Sequence, residues 1–270
     1  MPGGQLAAVE AGAGGAPTLV LVPGFTGSKE DFRLIVSPLA SAGLRVIALD
    51  QRGQYESTGP ADPAAYTVDA LAGDLLAVID ALGDGPVHLV GHSFGGLVCR
   101  ATVLRNPAAV RSLTLLSSGP AGLTGSRTEA LAHLGPLLEA GGLAAVADVL
   151  DAQAAADPAR RAEPPELRSF LRTRFLVSSP VGLLAMGEAL QTEPDRVEEL
   201  RTSGVPVLVS YGVDDDAWPP SVQAGMAERL GARHVVIPAA MHSPAVENPA
   251  ATAEALVAFV TSVGSSADTV

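Results

Sequence analysis

The stretch Leu89-Val90-Gly91-His92-Ser93-Phe94-Gly95-Gly96-Leu97-Val98 constrains this chain more than any other. There an apolar run meets a serine held between glycines and resumes as a second apolar run. Apolar residues before the Gly-x-Ser-x-Gly pattern read as a strand and those after it as a helix, which puts Ser93 on a sharp strand-to-helix turn. Gly91 and Gly95 suit such a turn because a side chain at either position would collide with neighbouring backbone. The serine itself is expected to take a strained φ/ψ that exposes its hydroxyl. With 29 glycines in the chain the pentapeptide also arises by chance, so its meaning depends on what the other segments supply.

Apolar strands and helical patterns alternate on both sides of this turn. Strands are expected at Thr18 to Val22, Arg45 to Leu49, Val87 to Val90, Ser112 to Leu116, Val205 to Tyr211 and Arg233 to Ile237. Helical spacing covers about 29–42, a segment from Thr67 as N-cap to Gly83, then 94–104, a segment from Pro219 or Pro220 to Leu230, and a last one capped by Asn248 with Pro249 at N1. Such alternation is the signature of a mostly parallel sheet covered on both faces, an α/β architecture. Between about Gly119 and Arg201 the rhythm breaks. Ala- and Leu-rich helical segments follow one another there, separated by Gly141-Gly142, Asp157-Pro158, Pro164-Pro165 and Ser179-Pro180. The expected organisation is a core of residues 1–118 and 202–270 with a helical cap, or lid, inserted over 119–201; a second domain is the alternative reading of that stretch.

Composition narrows the partners. At 270 residues, 47% hydrophobic and 17% charged, the chain can bury one large core and lies far from the disordered regime. A net charge of −12 repels polyphosphates and anionic lipid surfaces, so neither nucleic acid nor membrane is an expected partner. No apolar segment reaches the roughly 20 residues of a membrane span, and Met1 to Gln5 start no secretion signal. The single cysteine, Cys99, permits no internal disulfide and leaves a metal site without its usual sulfur cluster. Cys99 reads as a small core residue. A cytoplasmic protein without cofactor or metal is expected, with a small molecule as its partner; homo-oligomerisation stays open.

A serine hydroxyl is a weak nucleophile at its own pKa, so Ser93 needs a base within hydrogen-bond reach and a further group to fix that base's tautomer. In wound sheets such groups come from loops at the carboxyl ends of strands. Of five histidines, His88 and His234 belong to strands, His133 to the cap, and His92 is turned aside next to the serine, which leaves His242. Asp214, Asp215 and Asp216 all follow the Val205 strand; mutual repulsion lets one of them face an imidazole while the others face water. Two backbone donors could receive an oxyanion. Phe94 N–H opens a helix, and Phe25 N–H lies in the Pro23-Gly24-Phe25 loop, where Gly24 admits close approach. Phe25 serves equally well as a pocket wall. Gly24, His92 and Trp218 are further pocket candidates, with core packing the alternative for Trp218. Arg172 and Arg174 read as solvated cap charges rather than as ligands of a substrate carboxylate.

Together these residues resemble the α/β-hydrolase superfamily in its lid-bearing esterase, lactonase and proline-iminopeptidase-like branch. The resemblance spans most of the chain and rests on Pro23-Gly24-Phe25, Asp50-Gln51-Arg52-Gly53, Gly91-His92-Ser93-Phe94-Gly95-Gly96, Gly212-Val213-Asp214-Asp215 and His242, in the family's order. It implies the α/β-hydrolase fold. It also selects Asp215 as the acid, because that residue stands three after Gly212 with Pro219 four further on. The implied function is a serine hydrolase that forms an acyl-enzyme on Ser93 from a small or medium, largely apolar ester, lactone, thioester or amide, with an Asp215–His242 relay. Alternatives on the same residues are a lyase, a perhydrolase or haloperoxidase, a biosynthetic cyclase, or a ligand-binding protein. Epoxide hydrolases and haloalkane dehalogenases would need a carboxylate where Ser93 stands. The chain departs from the pattern at Pro23, where many relatives have histidine. It departs again at Arg52-Gly53-Gln54-Tyr55-Glu56-Ser57 in place of Arg-Gly-His-Gly-x-Ser, which predicts an unusual pocket rim.

Overall fold

Seven strands pair into one sheet in the order β1-β3-β2-β4-β5-β6-β7: β1 (Ala8–Ala11), β2 (Thr18–Val22), β3 (Arg45–Leu49), β4 (Val87–His92), β5 (Val110–Leu116), β6 (Val207–Gly212) and β7 (Arg233–Ile237). The computed structural model describes residues 4–156 and 163–267; the Asp157-Pro158 break lies outside them. All pairings are parallel except that of β1, which runs antiparallel to β3 with Ala8 opposite Leu49. The near-continuous Val/Leu/Ile strands form where expected because both faces of the sheet are covered. β1 escapes a sequence reading. Its Ala-Val-Glu-Ala is largely exposed and carries no apolar pattern, so only the backbone of β3 defines it.

The helices are α1 (Arg33–Ser41), α2 (Val68–Leu82), α3 (Phe94–Arg105), α4 (Ser126–Ala132), α5 (Leu134–Ala156, broken as expected at Gly141-Gly142, whose φ/ψ are not helical), α6 (Pro165–Leu176), α7 (Pro180–Thr192), α8 (Val197–Thr202), α9 (Pro220–Leu230), α10 (Pro244–Glu247) and α11 (Pro249–Ala267). α2 starts where Thr67 Oγ1 accepts the Ala70 N–H at 3.2 Å and stops at Gly83 with φ 68°. The helix expected over 29–42 divides, with a 3₁₀ turn at Lys29–Phe32 leading into α1. On one face of the sheet, Val20, Val22, Leu89, Leu113 and Val209 pack against Leu75 and Ile79 of α2, Cys99 and Val103 of α3, and Met226 of α9. On the other, Leu19, Leu21, Val46 and Val90 meet Ile35 and Leu39 of α1 with Leu256 and Val260 of α11. The period-2 side-chain alternation of each strand distributes these residues between the two layers. No helix among the described residues is long and apolar enough to cross a membrane.

His88 lies inside β4 with Nδ1 2.7 Å from Ser112 Oγ, and burial, with the Arg111 charge adding to it, pushes its imidazole down to about 4. Unfolded, the same ring titrates near 6.5, so between about pH 6.5 and 4 the unfolded state holds the extra proton and folded stability falls as pH falls. The slope from this single group reaches about 1.4 kcal/mol per pH unit. Urea unfolding of His88→Gln across that window should therefore show a flatter dependence on pH than the parent by about that amount.

Between β5 and β6 the chain forms α4 to α8, with no strand among the described residues. α4, α5, α6 and α7 build two apolar clusters. One joins Leu123, Met186 and Leu190 to Phe94, Leu97 and Trp218; the other joins Leu134, Val146, Phe175 and Leu183, and Phe25 packs against both. α8 differs, since its Val197 and Leu200 pack into the core of the sheet. Where the segment leaves and rejoins the sheet region its two ends are tied together, Gly122 N–H to Glu193 O at 2.8 Å and Leu123 N–H to Leu190 O at 2.6 Å. Arg100 of α3, 1% exposed, reaches both ends at once: it donates to Pro120 O, to Glu193 Oε1 at 2.9 Å and to Pro194 O at 3.2 Å. Arg100→Met would leave the largely buried Glu193 carboxylate and two carbonyls without their donor, and it is expected to lower unfolding stability by about 2–3 kcal/mol, read as a shift of the urea midpoint.

Candidate active site

The carboxyl ends of the parallel strands meet in one set of loops, and backbone strain concentrates there. Among the described residues the non-glycine positions with positive φ are Thr26, Tyr55, Ser93, Ser117 and Ala239, which follow β2, β3, β4, β5 and β7 in turn. Such conformations cost on the order of 1–3 kcal/mol each and persist only where surrounding structure over-determines them.

Ser93 sits between β4 and α3 with φ 53° and ψ −121° and is 7% exposed. Its N–H donates to Leu116 O at 2.9 Å, which binds the turn to the end of β5. A Cβ on Gly95 would lie 2.5 Å from both Val22 O and Pro23 O, and one on Gly91 would strike the Gly95 carbonyl, so close approach demands both glycines.

His242 Nε2 is 3.0 Å from Ser93 Oγ, and His242 Nδ1 is 3.0 Å from Asp215 Oδ1. A carboxylate only accepts, so Nδ1 carries a proton, and in that tautomer Nε2 is the acceptor for the serine hydroxyl. Asp215 is 4% exposed; its Oδ1 also accepts the Ala217 N–H at 2.9 Å, and its Oδ2 accepts from Gln223 Nε2 at 2.9 Å. Burial alone would push this carboxyl up. The hydrogen bond and charge of His242, with those from Ala217 and Gln223, hold it below the usual aspartate range instead. Asp214 is exposed, and Asp216 is exposed and pairs with Arg127 at 2.7 Å, so neither competes for the imidazole. Gln223 was not legible in the sequence: a glutamine on a helix eight residues beyond an aspartate carries no signal until the fold buries it against that carboxylate.

His92 braces His242. Its Nε2–H donates to the His242 carbonyl at 2.7 Å, and burial together with the neighbouring His242 charge pushes its imidazole down to about 4, so it is neutral at pH 7. Gly24 borders the serine, since a Cβ there would lie 3.0 Å from Ser93 Cβ and 3.1 Å from His92 Nδ1. Phe94 N–H is one of the first amides of α3 and has no intrahelical acceptor, while Phe25 N–H has no protein acceptor among the described residues. The Phe25 ring does act as a wall, packing against both apolar clusters of the helical segment. Trp218 is buried against Phe94 and Leu190 with Nε1–H on Ala121 O at 3.2 Å, and its ring centroid is 6.3 Å from that of His242. Arg172 pairs with Asp148 and Asp151 on exposed surface. Arg174 is not the solvated charge expected of it: it is buried, and its Nη1 donates to Asp31 at 2.5 Å and to Ser28 Oγ at 3.2 Å, joining α6 to the loop after β2.

A family model described as alpha/beta hydrolase fold matches residues 17–249, so the chain belongs to the α/β-hydrolase fold family. Epoxide hydrolase 3 of Siraitia grosvenorii is 36% identical over 107 residues, which are 40% of this chain and 34% of that protein. The chain spans between 21% and 37% of the length of the curated relatives it matches. Among solved structures, a thermophilic esterase from Thermogutta terrifontis superposes with a TM-score of 0.81 at 26% identity, covering 96% of this chain and 93% of the other. The enol-lactonase from Burkholderia xenovorans LB400 gives 0.80 at 26% identity, covering 95% and 96%.

Proposed function

We propose that this protein is a serine hydrolase that cleaves a small or medium, largely apolar ester, lactone, thioester or amide through an acyl-enzyme on Ser93. The observation that carries this reading is the hydrogen-bonded line from Ser93 Oγ through His242 to Asp215, each link 3.0 Å, set on a strained strand-to-helix turn. Asp215 holds the imidazole in the tautomer whose Nε2 is free, and Nε2 takes the serine proton as Oγ attacks the carbonyl carbon. Phe25 N–H and Phe94 N–H receive the oxyanion, and His242 then hands its proton to the leaving group. A water activated by the same ring cleaves the acyl-serine ester and restores Ser93.

Residues 119–201 act in this reading as a cap. α4 to α7 bring Leu123, Leu134, Met186 and Leu190 toward Phe25 and Phe94, and this apolar lining favours a neutral acyl group over a charged one. The esterase and enol-lactonase neighbours carry names from the same reaction class. Epoxide opening does not suit this nucleophile, because a serine alkoxide attacking an epoxide carbon leaves an ether, which an activated water does not cleave as it would an ester. The test is a fluorophosphonate probe read by intact mass, alongside p-nitrophenyl esters of graded chain length. One label on Ser93 and turnover favouring neutral short to medium chains are expected; absence of both label and turnover overturns the proposal.

A further inference from the structure

We infer that Gln54 is a positioning residue for the oxyanion donor of this site, acting through the Gly24–Phe25 peptide. The inference rests on the acyl-transfer reading above and extends it to a residue outside the Ser-His-Asp line. Gln54 is 3% exposed, and its Nε2 donates to Gly24 O at 2.8 Å. Gly24 O and Phe25 N–H belong to one peptide group. The described chain holds no cis peptide bond, and in a trans peptide the C=O and N–H point in opposite directions. A donor that pins the Gly24 carbonyl on one side therefore turns the Phe25 N–H to the other side. Gly24 itself borders Ser93, so fixing its carbonyl fixes the Phe25 amide in the loop beside the nucleophile.

Two further features show that this contact is built rather than incidental. Gln51, three residues earlier, repeats the arrangement by donating from Nε2 to Pro23 O at 2.8 Å, which holds the preceding peptide of the same loop. Asp50 completes the brace by accepting the Lys29 N–H at 2.7 Å and the Lys29 Nζ at 3.0 Å. The loop after β3 thus holds the loop after β2 at three points, and Thr26 and Tyr55 carry positive φ beside the two partners. Gly27 N–H also donates to Gly24 O at 3.1 Å, so the carbonyl has two fixed donors, of which only Gln54 is a side chain open to substitution.

Gln54→Met keeps length and burial and removes the donor; Gln54→Leu removes it with a differently shaped apolar side chain that cannot regain a proton to donate. With p-nitrophenyl butyrate at pH 8, either variant should lose about 10- to 100-fold in kcat with KM within about threefold of the parent. Inhibition by an alkyl trifluoromethyl ketone, whose adduct on Ser93 places an oxyanion where the tetrahedral intermediate has one, should weaken by the same factor as kcat/KM. Circular dichroism establishes that each variant is folded, and if Gln54→Met does not fold, Gln54→Leu carries the same comparison. A folded variant with kcat and ketone affinity within about threefold of the parent overturns the inference, as does a change confined to KM, which would make Gln54 a pocket wall. If the parent protein itself neither labels at Ser93 nor turns over any acyl probe, the acyl-transfer reading fails first and this inference with it.

Discussion

Ser93→Ala is expected to lower kcat for acyl esters by about 10⁶-fold and to abolish fluorophosphonate labelling, with the fold and its unfolding midpoint little changed. The size follows from the architecture. In the proposed mechanism the Oγ forms the covalent bond, and among the described residues no second hydroxyl lies within hydrogen-bond reach of His242 Nε2. What activity remains would come from the backbone donors and from substrate binding, which survive the substitution. Single-turnover acylation read by stopped flow, with the unfolding midpoint measured alongside, separates loss of chemistry from loss of folding. A variant retaining more than a few per cent of parental kcat would remove Ser93 from the covalent role.

Asp215→Asn should cost about 10⁴-fold in kcat while leaving substrate affinity nearly unchanged. Both carboxylate oxygens accept: Oδ1 from His242 and Ala217, Oδ2 from Gln223. An asparagine must turn its NH₂ group toward one side or the other. Facing His242, it donates to Nδ1 and forces the proton onto Nε2, the nitrogen that has to take the serine proton; facing Gln223, it sets two donors against each other. The first arrangement loses the base; the second keeps its tautomer only by giving up the Gln223 hydrogen bond that holds the side chain in place, and the donor to Nδ1 is the arrangement that sets the size of the loss. Labelling by fluorophosphonate should slow in proportion to kcat, because both reactions require the same proton transfer. Asp214→Asn and Asp216→Asn serve as controls: their side chains face solvent or Arg127, and their kcat should stay within a few-fold of the parent.

The parallel strands and their order along the chain were legible because each is a short Val/Leu/Ile-rich run, and a fully buried strand must be apolar throughout. The Ser93 turn was legible for the same kind of local reason: glycines on both sides report close approach, and the flanking apolar runs report strand and helix. α2 shows local chemistry at its most direct, since Thr67 and Gly83 delimit it in the sequence as they do in space. β1 was not legible, because an exposed edge strand needs no apolar pattern. Nor was the burial of Arg174, whose partner Asp31 lies 143 residues away and gives no local signal.

By itself, then, the sequence determined a wound α/β chain with a serine at a strand-to-helix turn and a histidine and aspartate placed after later strands, because strand, turn and cap chemistry act over a few residues. The family resemblance already singles out Asp215 among three adjacent carboxylates, and the tertiary structure brings it to His242; tertiary structure alone decided that Gln223, His92 and Gln54 stand behind Asp215, His242 and the Phe25 peptide. Those choices are made by hydrogen bonds between groups eight to 150 residues apart. Their geometry exists only once the strands have paired and brought their loops to one edge of the sheet.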